Sequence, residues 1–178
     1  PVNDGQPFPT SGQIGHFHLT QVLSEELPEN SLIVTGSSGL AIEFFYTGFQ
    51  NKPGQRVFLT SGLGAMGYGL PAMLGAYMAS DGRPFVGIEG DGSLMMNIQE
   101  LQTIASMKIP VRFFVFNNRG YASIRNTQRN YFDGRYVGTG PEARLGLSDL
   151  VEVAKAFGME AMRITEVSNL RDQVKTAL

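Results

Sequence analysis

Short, nearly continuous apolar runs alternate along the chain with stretches in which apolar residues recur at every third or fourth position. The runs in "SLIVTG", "QRVFLTSG", "PFVGIEG", "PVRFFVFNN" and "AMRITEV" predict strands, each bounded by glycine, proline or asparagine. "HFHLTQVLSEELP" predicts a short helix that stops at Pro28. "LGAMGYGLPAMLGAYMAS" predicts a helix carrying small residues and closed by "DGR". "SLMMNIQELQTIASMK" predicts another, with Ile98, Leu101, Ile104 and Ala105 at helical spacing. "LSDLVEVAKAFG" predicts a helix with Ser148 as N-cap, and "SNLRDQVKTAL" starts one more. "AIEFFYTGF" is compatible with helix or extended chain. Residues 1–15 are turn and breaker residues and read as a linker-like N-terminal segment. Residues 16–178 then form an α/β domain, read as a fragment or one subunit of a larger enzyme. Strand and helix alternate through most of it, so the fold class expected is α/β, with a mostly parallel central sheet and helices on both faces. Ligands in such sheets bind outside the carboxyl ends of the strands. The unusual polar positions, 36–39, 61–66, 90–93 and 117–120, all fall at those ends and predict one site built from four loops.

Composition narrows the chemistry. The chain has 178 residues, 42% hydrophobic and 17% charged, with a net charge of -2, which is the profile of a folded domain rather than a disordered one. Weak acidity, with no basic stretch interleaved with aromatics, predicts no nucleic-acid partner. There is no cysteine, so disulfides and thiolate metal sites are excluded. No cationic segment leads into an apolar one at the start, and no apolar run is long enough to span a bilayer, so a cytoplasmic location without membrane contact is expected. Glycine is abundant, 22 residues, and clustered, which suggests backbone approaching a ligand closely.

Two strand ends carry the candidate chemistry. Asp91 stands between Gly90 and Gly92 at the end of "PFVGIE", where a carboxylate can hold a hard dication. The amides of Gly92 and Ser93, at a helix start, can face an anion. Asn118 ends the next strand, far enough along for one helix and one strand to return it beside Asp91. A carboxylate oxygen, an amide oxygen and the Gly120 carbonyl make a donor set suited to Mg2+ or Ca2+. Taken singly, Asp91 reads equally well as a first-turn helix acid, and the two asparagines as a tight turn.

"GDGSLMMNIQELQTIASMKIPVRFFVFNNRGY" resembles the thiamine-diphosphate motif, GDG followed some 27 residues on by NN, and is most similar to the acetolactate synthase, pyruvate oxidase and 2-oxo-acid decarboxylase group. "SGLGAMGYGLPAMLGA", residues 61–76, resembles the same group's loop and helix. The resemblance implies the C-terminal diphosphate-binding domain of these enzymes, with thiamine diphosphate and Mg2+ as cofactors. It implies Asp91, Asn118 and Gly120 as metal ligands, and backbone donation from Gly92 and Ser93 to the diphosphate, helped by the Ser93 hydroxyl. The loop Ser37, Ser38 and Gly39 would hold its other end. The Gly64 carbonyl and the Met66 N–H would meet the aminopyrimidine, and Met96 would be the apolar wedge beneath the bent cofactor. Gly90 and Tyr121 complete the implied cofactor-binding set. One departure concerns the first loop. Polar residues, often including histidine, usually follow its glycine in the acetolactate synthase branch, whereas Leu40, Ala41 and Ile42 stand here. That weighs against true acetolactate synthase activity more than against cofactor binding.

The resemblance implies decarboxylation of a 2-oxo acid such as pyruvate, with or without carboligation, by a thiamine-diphosphate-dependent lyase or transferase. The activating glutamate in such enzymes comes from a pyrimidine-binding domain or subunit, for which this chain has no room. No catalytic residue is therefore assigned within it, and a homo-oligomer that is inactive without that domain is expected. Arg125, Arg129 and Arg135 follow the metal loop and could meet a substrate carboxylate; a solvated loop explains them equally well. His16 and His18 fit a surface helix start better than catalysis. Two other readings stay open. One is the small subunit of a sulfopyruvate- or phosphonopyruvate-type decarboxylase. The other is a non-catalytic or dinucleotide-binding module, since "GLGAMG" at 62–67 matches G-x-G-x-x-G after a predicted strand, with Glu89 or Asp91 near the position of a ribose-binding acid.

Overall fold

The computed structural model describes residues 8–36, 39–60 and 62–178. Helix α1 (His16–Glu26) opens the domain, followed by β1 (Leu32–Thr35) and α2 (Leu40–Gly48). The ambiguous segment "AIEFFYTGF" is thus helical; Ile42 and Phe45 become buried three residues apart, a spacing only a helix turns to one face. Strand β2 (Arg56–Phe58), α3 (Gly69–Met78) and β3 (Phe85–Gly90) come next. Then follow α4 (Asp91–Leu94), a 3-10 turn at Met95–Asn97, α5 (Glu100–Ser106) and β4 (Arg112–Phe116). The chain closes with α6 (Ala122–Tyr131), α7 (Leu150–Ala156) and α8 (Val167–Ala177).

The four strands form one sheet in the order β2-β1-β3-β4, and every neighbouring pair is parallel. All six residues of β3 are buried, as expected of a strand covered on both faces. Ile33, Val86, Ile88 and Phe114 face α1, α2 and α8, where they meet Val22, Leu23, Phe45, Leu170 and Val174. Leu32, Val34 and Phe85 face the other way, onto Leu70 and Met73 of α3 and Leu101 and Ile104 of α5. Because β1 connects outward to β2 on one side and lies beside β3 on the other, the strand order reverses between β1 and β3. A crevice opens there, above Gly36 and Gly90.

Several elements differ from the sequence expectation. The single helix expected over 93–108 is broken into α4, the 3-10 turn and α5, since the Asp91 turn and the glycine-rich loop both anchor its first part. The helix expected from residue 63 begins only at Gly69, and 62–67 is a turn-rich loop with Gly64 and Gly67 at positive φ. Asp149, not Ser148, caps α7: its Oδ1 accepts the Val151 N–H at 3.0 Å. Of the three arginines after Gly120, Arg125 and Arg129 lie on helix α6 rather than in a loop, and Arg135 lies beyond its end. "AMRITEV" is not a strand. It runs beside the β4 edge across a groove of about 630 Å³, and its residue Arg163 is drawn to Asp149 at 2.6 Å. Apolar alternation marks a candidate strand, but only a paired ladder makes one, and the ladder here amounts to a lone bridge from Glu166 to Gln13. In the N-terminal segment, Phe8 and Ile14 pack against the core, and the Phe8 ring meets His18 edge-on at 5.6 Å. His18 Nδ1 accepts the Gly15 N–H, and His16 lies against Phe116; both histidines are helix-start residues and neither lines the cleft around Asp91.

Candidate functional site

At the crevice, four strand-end segments and the start of α6 converge. Gly39, Met66, Gly90, Asp91, Gly92, Ser93, Asn118, Gly120 and Tyr121 line one cleft, joined by Ala122, Ser123 and Ile124. Gly64 and Met96 do not line it. Met96 lies beside Gly67 at the rim and is 44% exposed, an apolar side chain left open to solvent next to a polar cleft. Ser37 and Ser38 lie outside the described residues.

Asp91 is almost completely buried. Its Oδ1 accepts the N–H of Gly92 and its Oδ2 the N–H of Gly120, each at 2.9 Å. The second bond ties the end of β3 to the loop after β4, so the 27-residue spacing does return the two motif halves to one place. Burial pushes the Asp91 carboxyl above the usual range, and the donated N–H bonds only partly oppose this. Asn118 supplies the complementary oddity: its side-chain oxygen is buried and has no hydrogen-bond partner. Buried amide oxygens are normally paired, so an orphan invites a ligand. Among the described residues no group of three acidic or histidine side chains could hold a metal. A cation here would rely on one carboxylate, one amide oxygen and a backbone carbonyl, which leaves coordination positions for anionic ligand oxygens, the pattern suited to Mg2+ bound with phosphate. Asp91, Asn118 and Gly120 fit that demand.

The glycine-rich loop is fastened to this centre from two sides. Ser93 Oγ accepts the Gly67 N–H at 2.8 Å, and Asn97 Nδ2 donates to the Gly67 carbonyl at 2.8 Å. Residues 93 and 97 are one helical turn apart, so α4 and the 3-10 turn together hold the peptide units on either side of the Gly67 Cα. Gly67 has φ +82, and a Cβ there would lie 2.9 Å from Asn97 Nδ2 and 3.0 Å from Met96 Cβ. Asn97 was not anticipated from the sequence; its spacing from Ser93 was the available signal.

Glu89 entered the sequence reading only as a ribose-binding acid of the dinucleotide alternative, and the structure puts it in the floor. It is completely buried beneath the crevice. Its side chain fills a slot made by two glycines: a Cβ on Gly36 would sit 1.9 Å from Oε1, and one on Gly69 2.1 Å from Oε2. Oε1 accepts the Gly90 N–H at 3.0 Å, and Oε2 has no hydrogen-bond partner. Burial pushes this carboxyl upward, favouring its neutral form. The Tyr46 hydroxyl is also buried without a partner and is raised in pKa by burial and by Glu89.

The dinucleotide reading loses its support in this geometry. The helix after "GLGAMG" starts two residues beyond the motif, and the Gly67 N–H is already taken by Ser93. Glu89 is completely buried between Gly36 and Gly69, where no ribose reaches, and Asp91 is bound to the Gly120 loop.

Residues 35–178 match the family described as thiamine pyrophosphate enzyme, C-terminal TPP binding domain. The acetolactate synthase large subunit of Parasynechococcus marenigrum is 37% identical over 71% of this chain and 20% of its own length. Acetolactate synthase 1, chloroplastic, of Oryza sativa subsp. japonica is 36% identical over 90% of this chain and 26% of its own. Among solved structures, the thiamine diphosphate-dependent 4-hydroxybenzoylformate decarboxylase of Rhodococcus jostii RHA1 superposes with a TM-score of 0.82. It covers 99% of this chain and 33% of the other, at 24% identity, a likeness of fold. The chain therefore spans about a fifth to a third of the length of these relatives.

Proposed function

The chain belongs to the thiamine-pyrophosphate enzymes, as their C-terminal TPP-binding domain, and on that premise we propose that it supplies the Mg2+- and diphosphate-binding half of an active site that decarboxylates a 2-oxo acid. The observation that carries this reading is the orphaned, buried Asn118 oxygen in the same cleft as Asp91, with the Gly120 N–H bonded across to the Asp91 carboxylate. In this reading Asp91, Asn118 and the Gly120 carbonyl hold Mg2+. The Gly92 and Ser93 amides and the Gly39 loop, with Ser37 and Ser38, hold the diphosphate. Gly64 and Met66 would offer backbone groups to the aminopyrimidine, and Met96, open at the rim, and Tyr121 would give it apolar contact. Bound thiamine diphosphate supplies the nucleophilic carbon and electron sink for releasing the substrate carboxylate as CO2.

No glutamate lines the cleft among the described residues. This favours an activating acid from a pyrimidine-binding domain or subunit, brought in by a homo-oligomeric assembly. The match to acetolactate synthases favours a 2-oxo acid such as pyruvate over a sulfopyruvate- or phosphonopyruvate-type small subunit, while Leu40, Ala41 and Ile42 after the first loop weigh against true acetolactate synthase activity. No helix among the described residues is long and apolar enough to cross a membrane; a cytoplasmic enzyme is the location we propose.

The test is calorimetric titration of the chain with thiamine diphosphate, with and without Mg2+, alongside Asp91→Ala. Removing the one carboxylate ligand leaves the dication without its charged protein donor, so binding is expected to require Mg2+ and to vanish in the variant. Turnover of a 2-oxo acid is expected only after a complementary pyrimidine-binding chain is added. Binding indifferent to both Mg2+ and Asp91 would sink the proposal.

A further inference from the structure

We propose that Arg125 is a positioning residue that holds the metal loop in its binding-competent shape before any cation arrives. This rests on the reading of Asp91, Asn118 and Gly120 as the Mg2+ ligands. The sequence offered Arg125 as a partner for a substrate carboxylate, but its guanidinium is directed elsewhere. Nη2 donates to the Asn118 carbonyl at 2.7 Å, and Nη1 donates to the carbonyls of Arg119 at 2.9 Å and Thr139 at 3.1 Å. No carboxylate forms an ion pair with Arg125 among the described residues. The side chain reaches back from the first turn of α6 and staples three backbone carbonyls together.

The loop needs such a staple. Arg119 and Gly120 have φ of +63 and +126, so two consecutive residues sit in the region that L side chains avoid. A non-glycine residue persists there only when its surroundings over-determine it. The Asn117 side chain contributes one bond, to the Arg119 N–H at 3.2 Å, and Arg125 contributes three. The far side of the staple is equally specific. Thr139 O also accepts the Tyr121 N–H at 2.9 Å. A Cβ on Gly120 would lie 2.5 Å from Thr139 O, and one on Gly140 2.4 Å from Arg125 Nη1. Both glycines are therefore cut to the thickness of the clamp.

With the main-chain carbonyls of Asn118 and Arg119 held by the guanidinium, the Asn118 amide oxygen is left unpaired at the cleft. The Gly120 N–H meanwhile stays on Asp91. A planar fork with five donors can serve three acceptors in a fixed arrangement, and an ammonium cannot reproduce that geometry. Groups that orient metal ligands commonly change metal affinity 10–100-fold when removed.

The experiment is a Mg2+ titration of the full chain at saturating thiamine diphosphate, for wild type, Arg125→Ala and Arg125→Lys, with free ethylguanidinium added to the alanine variant. Amide exchange at Gly120 and Tyr121 is followed by NMR without cofactor. The expected result for Arg125→Ala is a Mg2+ Kd raised about 10–100-fold, partly restored by ethylguanidinium, with a thermal midpoint close to wild type. Lysine should preserve folding yet recover little of the affinity, and both amides should exchange faster in both variants. If wild type binds and Arg125→Ala binds Mg2+ equally well, the positioning role is overturned while the cofactor reading stands. If wild type binds no cofactor, the cofactor reading fails, and unchanged protection of Gly120 and Tyr121 in Arg125→Ala overturns the clamp as well.

Discussion

Gly36→Ala probes the floor of the crevice through a single added methyl. Gly36 does not have a positive φ, so alanine is tolerated by its backbone, and what it meets decides the outcome. The new Cβ would lie 1.9 Å from Glu89 Oε1, 2.5 Å from Cδ and 2.7 Å from Oε2. The strand cannot retreat, because the Gly36 N–H is bonded to the Ile88 carbonyl at 2.7 Å and β1 is paired on both sides. The carboxyl must leave its slot. Overpacking of this kind costs about 1–3 kcal/mol, and the Gly90 N–H that Oε1 accepts is left unpaired at a further ~1–3 kcal/mol. Lost backbone freedom in the unfolded chain returns about 0.4–1 kcal/mol. The net expectation is a destabilisation of about 2–4 kcal/mol. In a Glu89→Ala background the slot is empty, and the same methyl should cost about zero. The coupling energy between the two sites is then at least ~2 kcal/mol, well above the few tenths seen for independent positions. Urea unfolding of the four proteins, followed by circular dichroism and tyrosine fluorescence to check two-state behaviour, measures it. Additive effects within ~0.5 kcal/mol would refute the placement of Glu89 between Gly36 and Gly69.

The same carboxyl makes stability depend on pH. Burial raises Glu89 above its ordinary value, so the fold favours the neutral acid; that contribution is complete below the unfolded value of about 4.3 and is lost as pH rises through the folded value. Glu89→Gln should therefore gain stability over wild type progressively as urea unfolding is repeated from the acid side toward neutrality, and parallel curves for the two proteins would contradict the assignment. At the glycine-rich loop, Gly67→Ala should lower stability by about 1–3 kcal/mol, because φ +82 and the Met96 Cβ leave no place for a methyl. Asn97→Ala should lose about 1 kcal/mol by unpairing the Gly67 carbonyl. Thermal unfolding distinguishes them, and a neutral Gly67→Ala would mean that the loop is not gripped as described.

Much of the site could be read from residue types at strand ends. Asp91 between two glycines and Asn118 after the next apolar run needed only the rule that parallel strands present their carboxyl ends to ligands, and the structure puts both in one cleft. Glu89, Asn97 and Arg125 were not legible in those roles. Glu89 reads as an ordinary strand-end acid until Gly36, 53 positions earlier, is seen to leave room for it. Arg125 reads as a substrate-facing cation or as part of a solvated loop, because nothing in "YASIRNTQRN" says that its donors turn back onto carbonyls of residues 118, 119 and 139.

The sequence by itself determined what depends on period and residue type. Buried apolar runs specified the β1, β3 and β4 strands, helical spacing specified α1, α5 and α8, and the GDG and NN motifs specified where a hard cation and an anion could be held. These are local properties, set by backbone periodicity and by the chemistry a side chain can offer. Tertiary structure alone decided which strands pair, that "AMRITEV" stays off the β4 edge, where the long helix after Asp91 breaks, and which polar atoms are spent inside the protein. Those outcomes depend on distances between residues far apart in the chain. A hydrogen bond within 3 Å or a missing Cβ settles them, and neither leaves a periodic trace in the sequence.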